Sequence, residues 1–340
     1  MNFQEKLINW YDLNKRDLPF RHTKDPYAIW LSELMLPQTT MSAVLPYYQR
    51  FMERYPNIGS LAQSDLDEVY KYWEGLGYYR RAKHLLESAQ YIVHENNGVF
   101  PKTYNELLKL KGVGPYTAAA ISSFAYGEAQ SAIDGNALRV LSRLFGLHEN
   151  IALSKTVKMI SERSNAAIIG YDSAKYNQGL MDLASSICRV MNPKCEECPL
   201  KEDCQAYQNH EEKILPINIK KIKKQELSFI TGIVTYQGKI MLIKNPENAL
   251  LENMYGLIQY DVESPFSFVE AFEKTYHLDL SIDTHVKDFK HVFTHRTWHM
   301  HVYHFEASQD NEAFYPIDDL KNLAIPTAHK KILKYYLEEM

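Results

Sequence analysis

The chain has 340 residues, 45% of them hydrophobic, with 38 Lys and Arg against 42 Asp and Glu for a net charge of −4. That length carries two domains, and that charge excludes a globally basic nucleic-acid binder, so any nucleic-acid footprint has to be local, built from helix ends and a few cations. No segment approaches a membrane span, no targeting peptide is visible, and cysteine is confined to positions 188–204, which points to a reducing, intracellular setting.

The first 210 residues read as helices, without strand-like alternation. In Tyr27–Leu36, YAIWLSELML, Glu33 has mostly apolar helical neighbours, including Ile29, Trp30, Leu34 and Leu36. A carboxyl group in such a setting has its charged form disfavoured and holds a proton near neutrality. The ordinary alternative is a Glu that reaches the surface, since Glu is rarely buried. Ser64 and the capping box Thr103-x-x-Glu106 mark helix starts. Gly98, Gly127 and Gly170 fall where helices end. The run Gly75-Leu76-Gly77-Tyr78-Tyr79-Arg80-Arg81 reads either as a helix–helix turn with core tyrosines or as a wedge: an apolar tip, aromatics, then phosphate-binding cations.

Residues 110–140 are the most informative. Gly112 and Gly114 make a tight turn at the mouth of a helix that starts near Pro115. Glycines there let backbone N–H groups face outward, and a helix N-terminus adds partial positive charge, so a phosphate binds without a basic side chain. Asp134 precedes a second amphipathic helix. A phosphate clamp with a carboxylate one helix away suggests chemistry on a nucleic-acid backbone or sugar; the plainer reading makes Asp134 an ordinary N-cap.

Cys188, Cys195, Cys198 and Cys204 follow, spaced C-x6-C-x2-C-x5-C in a loop punctuated by Pro193 and Pro199. Disulfides fit poorly in a chain long enough to bury a core. Two candidates stay open: a closed four-thiolate zinc site and a cubane iron–sulfur cluster, the uneven spacing favouring the cluster.

Residues 214–225, ILPINIKKIKKQ, read as a solvated linker, with Lys220, Lys221, Lys223 and Lys224 able to track phosphates. Beyond Glu226 the pattern changes. Leu227–Tyr236 and Lys239–Ile243 are β-rich runs split by the hairpin signal Gln237-Gly238. Phe266–Tyr276 reads as a helix, Trp298–Glu306 as a strand and Thr327–Glu338 as an amphipathic helix, which together indicate an α+β domain. His291, His295, His299, His301 and His304 carry no acidic or thiol ligand at a familiar metal spacing.

The Gly-x-Gly hairpin, the Asp after it and the cysteine spacing together resemble the endonuclease III superfamily of base-excision DNA glycosylases, and within it the MutY type of adenine DNA glycosylase. The resemblance covers essentially the whole chain. It implies a multidomain fold: an all-α helix-hairpin-helix glycosylase with a [4Fe–4S] loop on Cys188, Cys195, Cys198 and Cys204, plus an α+β Nudix-like C-terminal domain. The expected boundaries are 1–212 for the helical domain, with a six-helix barrel over about 22–130 and an iron–sulfur subdomain from 1–21 and 131–212. A linker over 213–226 and a Nudix-like domain over 227–340 follow.

By the same resemblance, Glu33 is the general acid and Asp134 the group that stabilises the sugar cation. Cleaving an N-glycosidic bond needs both, because positive charge builds on the sugar and negative charge on the leaving base. Tyr116 and Asn136 orient Asp134 and the bound lesion. Phe20 and Arg21 line the adenine pocket, Leu36 is a further substrate- or DNA-binding position, and Gln178 stands where relatives carry Glu or Gln. Gln38, Thr39, Leu76 and Tyr78 probe the opposing base, Gly112 and Gly114 hold a phosphate, and Phe293-Thr294-His295 reads the damaged guanine. Pro37 replaces the Gln usual in the family's Glu-x-Met-Leu-x-Gln-Thr motif, Phe20 a common Trp, and Thr294 a Ser. Bifunctional relatives carry Lys where this chain has Tyr116; without that amine no Schiff base forms, so a monofunctional enzyme is expected. The carboxylate-rich Nudix helix is missing from 256–280, so nucleotide hydrolysis is not expected.

The implied function is hydrolysis of adenine from pairs with 8-oxoguanine or guanine in double-stranded DNA, by an intracellular, nucleoid-associated monomer. The rivals are a bifunctional endonuclease III-like glycosylase/lyase, which Tyr116 opposes, and a non-catalytic iron–sulfur DNA-binding protein, which the pairing of Glu33 with Asp134 opposes.

Overall fold

The computed structural model describes residues 1–37, 41–219, 225–246, 251–293 and 295–339. Gln38, Thr39, Thr294 and the lysines at 220–224 lie outside the described residues. None of the helices described is long and apolar enough to cross a membrane. The chain divides into two compact units, Met1–Ser64 with Lys83–Lys220, and Asp65–Ala82 with Lys221–Met340. The second unit takes in a short helical stretch that sequence reading assigned to the helical domain.

Helices run as α1 Phe3–Asn14, α2 Pro26–Met35, α3 Met41–Arg54, α4 Ile58–Ala62, α5 Leu66–Trp73, α6 Arg80–Glu95, α7 Tyr104–Leu107, α8 Pro115–Tyr126, α9 Gly135–Leu144, α10 Ser154–Ile168, α11 Ser173–Ser186 and α12 Gln205–Gln208. Their starts follow capping chemistry. Thr103 and Glu106 form the expected reciprocal box at α7. Ser64 does not cap α5: Asp65 does, accepting the Glu68 N–H at 2.8 Å, while the Ser64 hydroxyl is taken by Tyr55. A carboxylate one residue later is an equally good N-cap acceptor.

One core of the first unit joins α1 to the later helices. Leu7 packs with Val140, Leu141, Leu144, Ile160, Tyr176, Leu180 and Leu183, and Cys188, Cys198 and Cys204 lie against the same cluster. Elsewhere α2 is buried from Tyr27 through Met35 and packs on α8, itself buried from Thr117 through Phe124. A helix buried all round is apolar all round, and Glu33 is the one ionisable acid inside this one.

The C-terminal part of the second unit is a sheet between two helices. Its strands are β1 Gln225–Tyr236, β2 Lys239–Met241, β3 Ile243–Lys244, β4 Tyr255–Gly256, β5 Ile258–Tyr260, β6 Leu280–Val292, β7 Arg296–Ala307 and β8 Phe314–Pro316; α13 spans Pro265–Tyr276 and α14 Thr327–Glu339. Gln237 and Gly238 both take positive φ and close the β1–β2 hairpin. The sheet order is β6-β7-β1-β2-β8, with β5 also on β1 and β1 parallel to β7. One face buries Ile233, Trp298, Met300 and Val302 under Ile332 and Leu333 of α14. The other buries Val234 and Phe305 under Phe268 and Phe272 of α13. This is the α+β arrangement expected. Strand β6 was not anticipated: its half-buried positions alternate with exposed ones, but His, Lys and Asp fill much of the pattern that apolar residues would otherwise mark.

Candidate active site

Glu33 sits on α2, 5% exposed, and its Oε2 accepts a 2.5 Å hydrogen bond from the Tyr116 hydroxyl at the start of α8. Burial pushes its carboxyl up to about 7; the Tyr116 bond pulls it down, nearby Asp134 raises it and Arg21 lowers it. Desolvation dominates, so this acid carries a proton near neutral pH. The Tyr116 phenol is held well above its ordinary range, chiefly by the same burial, and so remains a donor.

Asp134 is the N-cap of α9, so the plain reading of this residue holds in geometry. Its Oδ1 accepts the Asn136 and Ala137 backbone N–H groups at 3.0 and 2.7 Å, and its Oδ2 accepts the Asn136 side-chain amide at 2.9 Å. Capping and chemistry are compatible, because the cap holds the carboxylate in one orientation at a helix N-terminus. Glu33 and Asp134 interact electrostatically, so two acids with different surroundings lie within reach of each other's charge. Asn136 is itself held by Arg139, whose guanidinium also donates to the Ala184 and Cys188 carbonyls.

The pocket beside Glu33 is lined by Arg16, Phe20, Arg21, Leu36, Tyr116 and Gln178, among others. Phe20 is buried edge-on against Tyr48. Gln178 accepts the Tyr11 hydroxyl. Arg21 is paired with Asp182 of α11, a residue that sequence reading passed over together with Arg16 and Arg139. The signal available was a lone charge on an apolar helix face: Asp182 lies between Leu180, Leu183 and Ala184.

The hairpin before α8 has the anticipated form. Gly112 takes φ +74°, and a Cβ there would come within 2.6 Å of His84, so only glycine fits. Gly114 is the N-cap of α8 and no side chain caps the helix, which leaves first-turn amides and the helix dipole for an anion.

The four cysteines form no disulfide and are half-buried. Burial, then neighbouring charge, pushes the Cys195 thiol up to about 11, and burial pushes Cys198 up to about 12. Arg143 donates to Cys188 Sγ at 3.4 Å and to the carbonyls of Arg189 and Leu215. Among the described residues, no three His, Cys, Asp or Glu side chains gather tightly enough to chelate one metal ion. The thiols influence one another electrostatically, a donor set that suits either a four-thiolate zinc or an iron–sulfur cluster. Lys194 and Lys201 in this loop pair with Glu197 and Glu196.

In the second unit, the turn between α5 and α6 differs from expectation. Leu76 is 7% exposed, whereas Tyr78, at φ +51°, is 48% exposed. The Trp73 indole N–H donates to the Gly77 carbonyl across this turn. Tyr78 lines a cavity of about 530 Å³ with Arg80, His291, Phe293, His295 and Arg296. Phe293 and His295 lie at the β6–β7 hairpin tip, where the Phe293 N–H meets the Arg296 carbonyl at 2.8 Å. Behind the tip runs a line of rings: His291 on Phe293, Phe293 on Trp298, and Trp298 beside His329, at centroid separations of 4.6, 4.9 and 6.1 Å. His329 is buried and its Nδ1 accepts the Leu257 N–H at 3.0 Å.

Residues 31–166 match the HhH-GPD superfamily of base excision DNA repair proteins, and residues 230–335 match a NUDIX domain. The chain is 31% identical over 344 residues to the adenine DNA glycosylase of Buchnera aphidicola subsp. Acyrthosiphon pisum, covering 98% of this chain and 97% of that one. It is 36% identical over 222 residues to the adenine DNA glycosylase of Homo sapiens, covering 63% and 41%. Among solved structures, a thermostable thymine-DNA glycosylase superposes with a TM-score of 0.56 at 31% identity over 61% of this chain and 95% of that one. An endonuclease III–DNA complex superposes at 0.51 and 21% identity, covering 62% and 99%, a likeness of fold.

Proposed function

The chain belongs to the adenine DNA glycosylases, and from that premise we propose that it is a monofunctional base-excision enzyme that releases adenine paired with 8-oxoguanine. The observation that carries the reaction is the buried Glu33–Tyr116 pair, a protonated acid oriented by a phenol. A flipped adenine entering the pocket between Phe20, Arg21 and Gln178 meets that acid. As the C1′–N bond breaks, its electron pair goes to adenine and the Glu33 proton goes to the base nitrogen. Asp134, oriented by its three donors, supplies negative charge to the sugar cation. Water then adds to C1′ and gives its proton to the ionised Glu33 carboxylate, which leaves an abasic site and restores the acid. Tyr116 offers no amine, so no Schiff base carries the reaction on to strand cleavage.

Cys188, Cys195, Cys198 and Cys204 would hold a [4Fe–4S] cluster. When bound, such a group would tie residues 188–204 together in a loop that Arg143 of α9 contacts, and the hydrolysis is left to the two carboxylates. We read the Phe293-Thr294-His295 tip as the reader of the damaged guanine, on a Nudix-like domain over 227–340 that follows a helical domain over 1–212. Double-stranded DNA is the partner, the protein acts as an intracellular monomer, and undamaged guanine opposite adenine is the weaker substrate. Single-turnover excision on 8-oxoguanine·adenine, guanine·adenine and pyrimidine-lesion duplexes tests this. Adenine release with intact strands supports it, and preferential attack on the pyrimidine lesion refutes it.

A further inference from the structure

Asp182 is 2% exposed on α11, and guanidinium groups occupy both of its oxygens. Arg21 grips it in a fork, Nη1 to Oδ2 at 2.6 Å and Nη2 to Oδ1 at 2.8 Å. Arg16 adds Nε to Oδ1 at 2.7 Å and its backbone N–H to Oδ2 at 3.3 Å. Burial alone would push the Asp182 carboxyl up; the Arg21 fork and then Arg16 outweigh it and hold the group below its ordinary range. Charge-assisted forks of this kind fix orientation as well as charge.

Arg21 shares the pocket wall with Glu33 and, among the described residues, is the cation that works against the Glu33 proton. The groups facing Glu33 are Tyr116 from α8, Asp134 from the α9 cap and Arg21 from the turn before α2. Behind Arg21 stand Asp182, Arg16 and the Tyr11 ring, 5.7 Å from the guanidinium carbon. An unbalanced buried guanidinium beside an acid favours the carboxylate. We propose that Asp182 is a positioning residue that neutralises Arg21 and thereby keeps Glu33 in its proton-carrying form. Asp182 touches neither base nor sugar; it sets the acid through Arg21, and it rests on the reading of Glu33 as general acid.

The test is the pH profile of single-turnover excision from a pre-bound 8-oxoguanine·adenine duplex. A general acid loses activity on the alkaline side of its pKa. Asp182→Asn keeps the shape and removes the charge, so the alkaline limb moves to lower pH by about one pH unit, roughly a tenfold loss beyond the limb. Arg16→Gln removes a cation that is 38% exposed, so the limb moves to higher pH. Limbs that shift in opposite directions support the proposal. A slower Asp182→Asn enzyme with its limb in place, or two limbs moving the same way, overturns it. Should Asp182→Asn fail to fold, carboxyl NMR titration of Glu33 in Arg16→Gln decides by sign: a higher Glu33 pKa supports the idea and an unchanged one overturns it. Unchanged excision by Glu33→Gln would instead sink the general-acid reading beneath it.

Discussion

Tyr116 donates its hydroxyl proton to Glu33 across 83 positions of sequence, joining the helix after the hairpin to the buried helix α2. The bond brings the hairpin's own helix to the acid, so on the proposed reading the element that holds a DNA phosphate also orients the proton donor.

Glu33→Gln keeps the shape and cannot deliver a proton, and Asp134→Asn removes charge at the sugar. Acid–base groups contribute roughly 10²–10⁴-fold and groups aimed at developing charge on the order of 10²–10³-fold. Each variant is therefore expected to lose at least about a hundredfold in single-turnover excision while still binding the mismatch by gel shift. Wild-type activity should decline as pH rises through about 7, because Glu33 is then losing its proton. Near wild-type excision by either variant removes that residue from the mechanism.

Strand scission should appear only after alkali or heat. Borohydride should not trap the unmodified protein on DNA, since Tyr116 offers no amine. Tyr116→Lys, placing an amine at the same helix start, is expected to yield a trappable complex. Efficient trapping of the unmodified enzyme counts against monofunctionality.

Anaerobically purified protein should be brown and contain about four iron atoms per chain, as a four-cysteine cubane requires. Stoichiometric zinc without iron would replace the cluster assignment. Cys198→Ser should lower the iron content and weaken DNA binding, because three of the cysteines lie against the core that also seats α9.

Removing residues 227–340 should narrow the preference for 8-oxoguanine over guanine opposite adenine and leave excision measurable, and His295→Ala should do so more mildly. His329→Phe keeps a ring behind Trp298 but loses the acceptor for the Leu257 N–H, so it should also narrow the preference. An unchanged preference in the truncated protein assigns this domain another role.

Local chemistry made much of this legible. The capping box at Thr103, the glycines of the hairpin and the Gln237-Gly238 turn each carry their reason within a few residues. Asp182 does not: its partners lie 166 and 161 positions away, so nothing near it in sequence announces a salt bridge. Strand β6 hides for a related reason, since neighbouring strands and helices, rather than its own alternation, make its polar residues a strand. Leu76 shows the limit of reading a tip from glycines, because the turn buries Leu76 and leaves Tyr78 exposed.

The buried Glu33 also bears on folding. Its carboxyl is expected near its ordinary value of 4.5 in the unfolded chain and is raised to about 7 in the folded one. Between those values the folded state binds more protons than the unfolded state, so this residue makes stability fall as pH rises from 4.5 to about 7, and the loss persists above. A difference of that size is worth about 3 kcal/mol, a large share of a typical domain's margin. Thermal melts should therefore show Glu33→Gln, the inactive enzyme, as the sturdier protein on the alkaline side, with the gap closing in acid. A gap that stays constant with pH would mean that Glu33 is not the group titrating.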